Sequence, residues 1–307
     1  MKPNRLFANT TLLLITVVWG ATFTLTKDAL QTVHVFPFLT IRFFLATLVL
    51  LLIALMSGPS RTALLRKSTW FVGAALGLSL FLAYGLQTLG LSTTGAAVSG
   101  FLTGLNVVLV PILSIPFLRH LPSLRIWIGV ALAVIGLALL SGYDLLLVKP
   151  GDIYVLMCAL FLALQILLVE KWGNLSDSLA LAVVELGVVA AGSLFSSIVS
   201  SHSSELFQWS PWFRPSVLWP IMINAVFGTS LAYWAQNVFQ KYTGSAQIAL
   251  IFSMEPVFAA IVAWLFLDEQ LSVLGWIGGA CIFLSMLIAD PGISLRRLRM
   301  KKLDVHP

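Results

Sequence analysis

The chain has 307 residues, of which 59% are hydrophobic and only 10% charged. A soluble protein of this length carries about 25% charge, so a water-facing globular domain is excluded and an integral membrane protein is expected. The net charge of +6 does not point to nucleic acid, because five of the eighteen basic residues (Arg296, Arg297, Arg299, Lys301, Lys302) form a tail behind the last apolar run, where a basic cluster meets anionic lipid.

In chain order, the apolar runs predict helices over 9–26, 36–57, 70–90, 95–118, 124–141, 151–170, 178–200, 217–239, 245–267 and 272–290. Each is close to the ~20 residues that cross a bilayer as a helix, whereas barrel strands would be about half as long. The first run follows Lys2 and Arg5 as a signal peptide would, but no small-x-small cleavage site follows it, and a retained helix is expected. The longest connection, SHSSELFQWSPWFRPS, reads equally as an interfacial lid or a solvated loop, with Trp209, Trp212 and Trp219 in an outer aromatic belt. Cys158 and Cys281 fall inside predicted helices and are expected as small buried hydrophobes. With the N-terminus in the cytoplasm, fourteen Lys and Arg fall in inner segments and three (Lys27, Lys149, Arg214) in outer ones, while Arg42 lies within the second helix. That bias predicts an N-in, C-in chain with an even number of spans.

The second half of the chain repeats the first. From Leu82 to Leu137, sixteen of 56 residues are identical to those 149 positions later, without a gap. The matches include Tyr84/Tyr233, Gln87/Gln236, Thr94/Thr243, Gly95/Gly244 and Trp127-Ile128-Gly129 against Trp276-Ile277-Gly278. The expected organisation is a cytoplasmic N-terminus (1–8), a five-helix repeat (9–141), a connecting segment (142–150), a second five-helix repeat (151–290) and a basic cytoplasmic tail (291–307). Five is odd, so the second repeat enters the membrane inverted, as in secondary transporters whose solute site lies at the midplane between halves.

WGATF in the first helix, Arg42 in the second, MEPVFAAIVAWLFLDEQLS and the closing GWIGGACIFLSMLI make the sequence resemble the EamA-like family of the drug/metabolite transporter superfamily, over nearly the whole chain. The resemblance implies ten helices, a central cavity, alternating access, and export of amino acids or related small metabolites. Trp19 resembles the family's cavity-lining position. The first repeat departs from the pattern: Asn106 stands where Glu255 does and His120 where Glu269 does.

Glu255-Pro256 interrupts a run otherwise apolar. A carboxylate in the membrane must be protonated, face water or be paired, so Glu255 is a candidate both for the cavity and for proton coupling. Pro256 removes a helix hydrogen bond and opens a carbonyl. Tyr233, Gln236, Asn237 and Gln240 share one helix face, Tyr84 and Gln87 repeat that motif, and Ser99, Thr103 and Asn106 make a third stripe. Amides and hydroxyls suit an ammonium and a carboxylate, although each residue alone also serves as interhelical glue. Arg42 is expected to snorkel to the outer interface; the alternatives are pairing with a carboxylate or gating, with Glu185 at its repeat position, and binding an anionic solute group. Gly73/Gly77, Gly100/Gly104 and Gly275/Gly279 allow close helix contact, the last marking a candidate homodimer face. Asp268 and Glu269 are expected to cap the last helix.

No cofactor or metal is expected. An intramembrane enzyme would need a cluster of nucleophile, base or metal ligands, yet His34, His120, His202 and His306 are scattered and no HExxH or GxSxG occurs. A nucleotide-sugar or phosphate-ester exchanger would need several cations within its helices, and a multidrug exporter of the same superfamily is the other alternative. The expected partners are a small-molecule solute and lipid; the expected location is a bacterial or archaeal cell membrane, the protein crossing it many times.

Overall fold

The computed structural model describes residues 5–142, 149–266 and 271–290. The tail cations, His306, residues 143–148 of the expected connecting segment and the proposed caps Asp268 and Glu269 lie outside them. Among the described residues the chain is helical: α1 (Arg5–Ala29), α2 (Val35–Met56), the short α3 (Gly58–Leu64), α4 (Lys67–Thr93), α5 (Ala96–Gly104), α6 (Asn106–Leu118), α7 (Leu124–Ser141), α8 (Pro150–Trp172) and α9 (Ser178–Val199). A connection with α10 (Trp209–Trp212) leads to α11 (Pro215–Ile223), α12 (Ala232–Phe239), α13 (Ser245–Phe252), α14 (Glu255–Phe266) and α15 (Val273–Ala289). Nine helical stretches among these residues are long and apolar enough to cross a membrane, and α15 is a shorter apolar helix.

Three predicted helices are not continuous. The fourth breaks at Leu105 between α5 and α6, and the ninth breaks at Ser253-Met254 between α13 and α14. The second halves begin at Asn106 and Glu255, which are repeat partners. Pro256 accounts for the second break, since it has no N–H to offer the Phe252 carbonyl. Its partner in the first repeat is Val107, so that break has no such proline; there the backbone tightens, with Leu105 N–H donating to Leu102 O at 3.2 Å and Val108 N–H to Leu105 O at 3.0 Å. The eighth predicted helix is interrupted by a π-helical stretch, Asn224–Leu231, between α11 and α12.

The most extensive helix contacts join α7 to α15, α4 to α8 and α2 to α9, each linking one half of the chain to the other. The contacts follow the repeat. The Thr94 hydroxyl donates to Asp152 Oδ1 at 2.6 Å, and its partner Thr243 donates to Asn9 Oδ1 at 2.7 Å. Each turn is thus latched to the first helix of the other half. A Cβ on Gly136 would lie 2.6 Å from the Gly278 carbonyl oxygen, and one on Gly129 would lie 3.0 Å from that of Ser285. These two contacts exchange under the 149-residue offset. Gly278 and its neighbours are therefore consumed inside the chain. Gly275 and Gly279, the glycines of the candidate homodimer face, are also buried within the chain, their missing Cβ atoms facing Leu271 and Val257.

Both cysteines are free; Cys158 is buried and Cys281 half-buried. The long connection is strapped down rather than loose: Glu205 accepts from His34 N–H and pairs with His34 Nδ1 at 2.9 Å, while Trp212 Nε1 donates to Glu205 O. Trp212 is thereby folded inward, and only Trp209 and Trp219 of the expected belt are exposed.

Candidate functional site

A cavity of about 50 Å³ lies where α1, α2, α4, α8, α12 and the ends of α6, α13 and α14 converge. Trp19, Tyr84, Gln87, Asn106, Tyr233, Gln236 and Glu255 line it, as does Arg42. Ser99, Thr103 and Asn237 do not. Ser99 Oγ is buried without a partner, Thr103 accepts from Gln87 Nε2 at 3.1 Å, and Asn237 turns away to donate to Glu185.

Arg42 does not snorkel. It is 4% exposed, with Nε donating to Thr229 Oγ1 at 2.9 Å, an Nη 3.5 Å from the Tyr84 hydroxyl, and its guanidinium over the Tyr84 ring. The π-helical stretch makes this site. Its wider turn presents Thr229 to Arg42 and the Gly228 carbonyl to Trp19 Nε1, at 2.8 Å. Such insertions recur at functional sites because they free backbone groups from the helix ladder. Nor does Arg42 pair with Glu185: among the described residues no ion pair joins them. Glu185 is fully buried and takes its hydrogen bonds from amides, Gln165 Nε2 at 2.7 Å and Asn237 Nδ2 at 2.9 Å.

Two repeat partners meet at the cavity. The Tyr233 hydroxyl donates to the Tyr84 hydroxyl at 3.0 Å. Trp19 packs edge-on to Phe252, 4.9 Å between centroids, closing the aromatic side of the cavity. Asn106 and Glu255, also repeat partners, both line it, and Asn106 Oδ1 is buried with no partner. Gly20 permits this assembly: a Cβ there would lie 2.7 Å from the Glu255 carbonyl oxygen, so α1 crosses directly over the break before α14.

Thr22, Thr26 and Gln165 also line the cavity and were not read from sequence. Threonine is unremarked in apolar helices, and Thr22 returns its hydroxyl to its own helix at Trp19 O. Gln165 had a signal, an amide within a run otherwise apolar. A second, larger cavity of about 730 Å³ abuts this one between α1, α5, α7 and α14. Phe23 lines both.

A charged, amide-rich cavity among apolar helices long enough to cross a membrane has a chemistry suited to handling a solute. The comparisons agree. The EamA-like transporter family matches residues 6–142 and again 149–289. An uncharacterized transporter of Archaeoglobus fulgidus is 33% identical over 287 residues, covering 94% of this chain and 87% of the relative. The uncharacterized transporter YvbV of Bacillus subtilis is 28% identical, covering 84% of this chain and 83% of YvbV. A crystal structure of 18% identity superposes with a TM-score of 0.73 over 92% of this chain and 96% of the other, a likeness of fold. The chain belongs to the EamA-like transporter family, and it is a multi-pass membrane transporter.

Proposed function

We propose that this protein is a secondary transporter that exports amino acids or closely related small metabolites by alternating access. The observation that carries the reading is that a guanidinium and a carboxylate, Arg42 and Glu255, line one cavity. These are the two poles that a zwitterion requires. Arg42 would hold the solute carboxylate through its outward N–H groups. Glu255, with the unpartnered Asn106 Oδ1, would accept from the ammonium. Trp19, Tyr84, Tyr233 and Phe252 supply the apolar wall. A proton and an ammonium would compete for Glu255, which couples solute release to protonation. Phosphate esters fit less well, because Arg42 is the one Lys or Arg at the cavity among the described residues.

The reading includes ten membrane spans in two inverted repeats, with both termini in the cytoplasm of a prokaryotic cell. At about 50 Å³ the central cavity is far below the ~300–1,000 Å³ of ordinary ligand pockets. In this reading the solute site is narrow in the present conformation, and the larger cavity behind Phe23 would form the outer half of the path. The test is uptake into proteoliposomes of a labelled amino-acid panel, with and without a pH gradient. Gradient-driven accumulation of a member, lost in Glu255→Gln, is expected. Absence of flux for every member, with folded protein, would overturn the amino-acid reading.

A further inference from the structure

Glu185 lies outside the cavity wall and is fully buried in α9. A buried carboxylate without a cation costs several kcal/mol unless its oxygens are fully hydrogen-bonded or it takes a proton. Here both oxygens are filled by neutral donors, Gln165 Nε2 and Asn237 Nδ2. The second amide is itself incomplete: Asn237 is 1% exposed, and its Oδ1 has no partner. Half a turn of that amide exchanges Nδ2 for Oδ1 and offers an acceptor to a carboxylic O–H. The site therefore accommodates either form of Glu185, with one unmet amide atom in each.

The same cluster reaches the solute space. Gln165 Oε1 accepts from Gln236 Nε2 at 3.0 Å, and both glutamines line the central cavity. Gln236 also donates to Gln240 Oε1, whose amide is fixed on Ile166 O at 2.6 Å. A change at Glu185 is thus one amide, Gln165, away from the cavity, and Gln236 is the next.

The other titratable groups around α9 are few. α12 brings the Tyr233 phenol, whose hydroxyl donates to Tyr84. α2 brings Arg42, engaged by Thr229 and Tyr84; α4 presents the glycine face of Gly73 and Gly77 at this level; and α8 brings Cys158, which is buried. Asp177 caps α9 itself, Arg61 and Lys67 lie exposed near that end, and Glu205 at the other end pairs with His34.

We infer that Glu185 is a proton-binding site of this transporter, linked to the central cavity through Gln165 and Gln236. The carboxylate takes one proton from solvent, and the new O–H donates to Asn237 Oδ1; release reverses both steps. A sodium ion is disfavoured because both carboxylate oxygens face amide N–H groups. The cavity link rests on the solute reading above, whereas proton binding does not.

Infrared difference spectra of the purified protein between acid and alkaline buffer, without solute, decide the site. Among the titrating carboxyl carbonyl-stretch bands of the wild type, one component is expected to be lost in Glu185→Gln, shifted in Asn237→Leu and retained in Glu255→Gln. A spectrum unchanged in Glu185→Gln, or a band that follows sodium and not pH, would overturn the inference. If Glu185→Gln does not fold, Glu185→Asp is expected to move the band midpoint, and an unmoved midpoint counts equally against it. For the link, a transported amino acid is expected to move the Glu185 midpoint, and Glu185→Gln to cut accumulation relative to exchange about tenfold, within the range of ordinary two-site coupling. A midpoint blind to solute would sever the link. Transport of no panel member would sink the solute reading while leaving the solute-free spectra to judge Glu185.

Discussion

Tyr84 is the residue on which most of the site converges. Its hydroxyl accepts from Tyr233 and lies within reach of Arg42, and its ring lies under the guanidinium at 4.8 Å. Tyr233 makes only one of those contacts, so the two repeat partners are not equivalent. Tyr84→Phe is expected to lower transport more than Tyr233→Phe, because it deprives a buried charge of a partner rather than freeing a neutral hydroxyl; initial rates of the two variants at matched expression test this. Arg42→Lys keeps the charge but loses the planar fork that bonds Thr229 while facing the cavity. Charge-assisted hydrogen bonds are worth roughly 1.5–3 kcal/mol, so KM for a carboxylate solute is expected to rise at least about tenfold with a smaller change in maximal rate. Equal KM values would place the solute away from Arg42. Most polar residues of this wall were legible in the sequence because Tyr233, Gln236 and Glu255 are polar groups in apolar runs, and such groups need a reason. Arg42 was misread since its place along the run says nothing of the π-helical turn that presents Thr229 to it.

Broken and closely crossed helices carry the second level. The helix break before Glu255 was visible as Pro256, but its twin before Asn106 was not, because tightened turns around Leu105 make it without a proline at that point. Pro256→Ala is expected to let α13 run on into α14, since alanine restores an N–H for the Phe252 carbonyl. The protein should fold and its transport should fall, as Glu255 turns out of the cavity; unaltered transport would mean that the break itself is dispensable. The α7–α15 crossing makes a different demand. A Cβ on Gly136 meets the Gly278 backbone at 2.6 Å, whereas one on Gly129 meets that of Ser285 at 3.0 Å. Gly136→Ala is therefore expected to lower the melting temperature in detergent more than Gly129→Ala, in line with the ~1–3 kcal/mol that overpacking costs. The WIG motif that recurs in both halves announces that crossing in sequence only through its glycine. Which helix would meet it, another copy or its own repeat partner, depends on a fold that the motif does not encode.

The whole molecule is arranged around crosswise contacts. Thr94 latches to Asp152 and Thr243 to Asn9, Lys27 grips the turn before α5 at Thr94 O, and Glu170 grips the turn before α13 at Ser245 N–H. Lys27 and Glu170 occupy equivalent places with opposite charge, so the architecture is symmetric while its electrostatics are not. This agrees with a duplication legible from the 149-residue offset and a chemistry that has since diverged. The inversion follows only if each repeat crosses the membrane five times, and it can be tested on one pair of positions. Ser92 and Lys241 are repeat partners, both exposed at the end of the helix that precedes the latched turn. In a chain with Cys158 and Cys281 replaced by alanine, Ser92→Cys is expected to react with a membrane-impermeant thiol reagent in intact cells. Lys241→Cys is expected to react only after permeabilisation, because the charge bias puts Lys241 inside. Labelling of both from one side would mean that the halves run parallel. The pseudo-two-fold would then lie along the membrane normal, and the central cavity could not open alternately to the two faces by rocking one inverted half against the other.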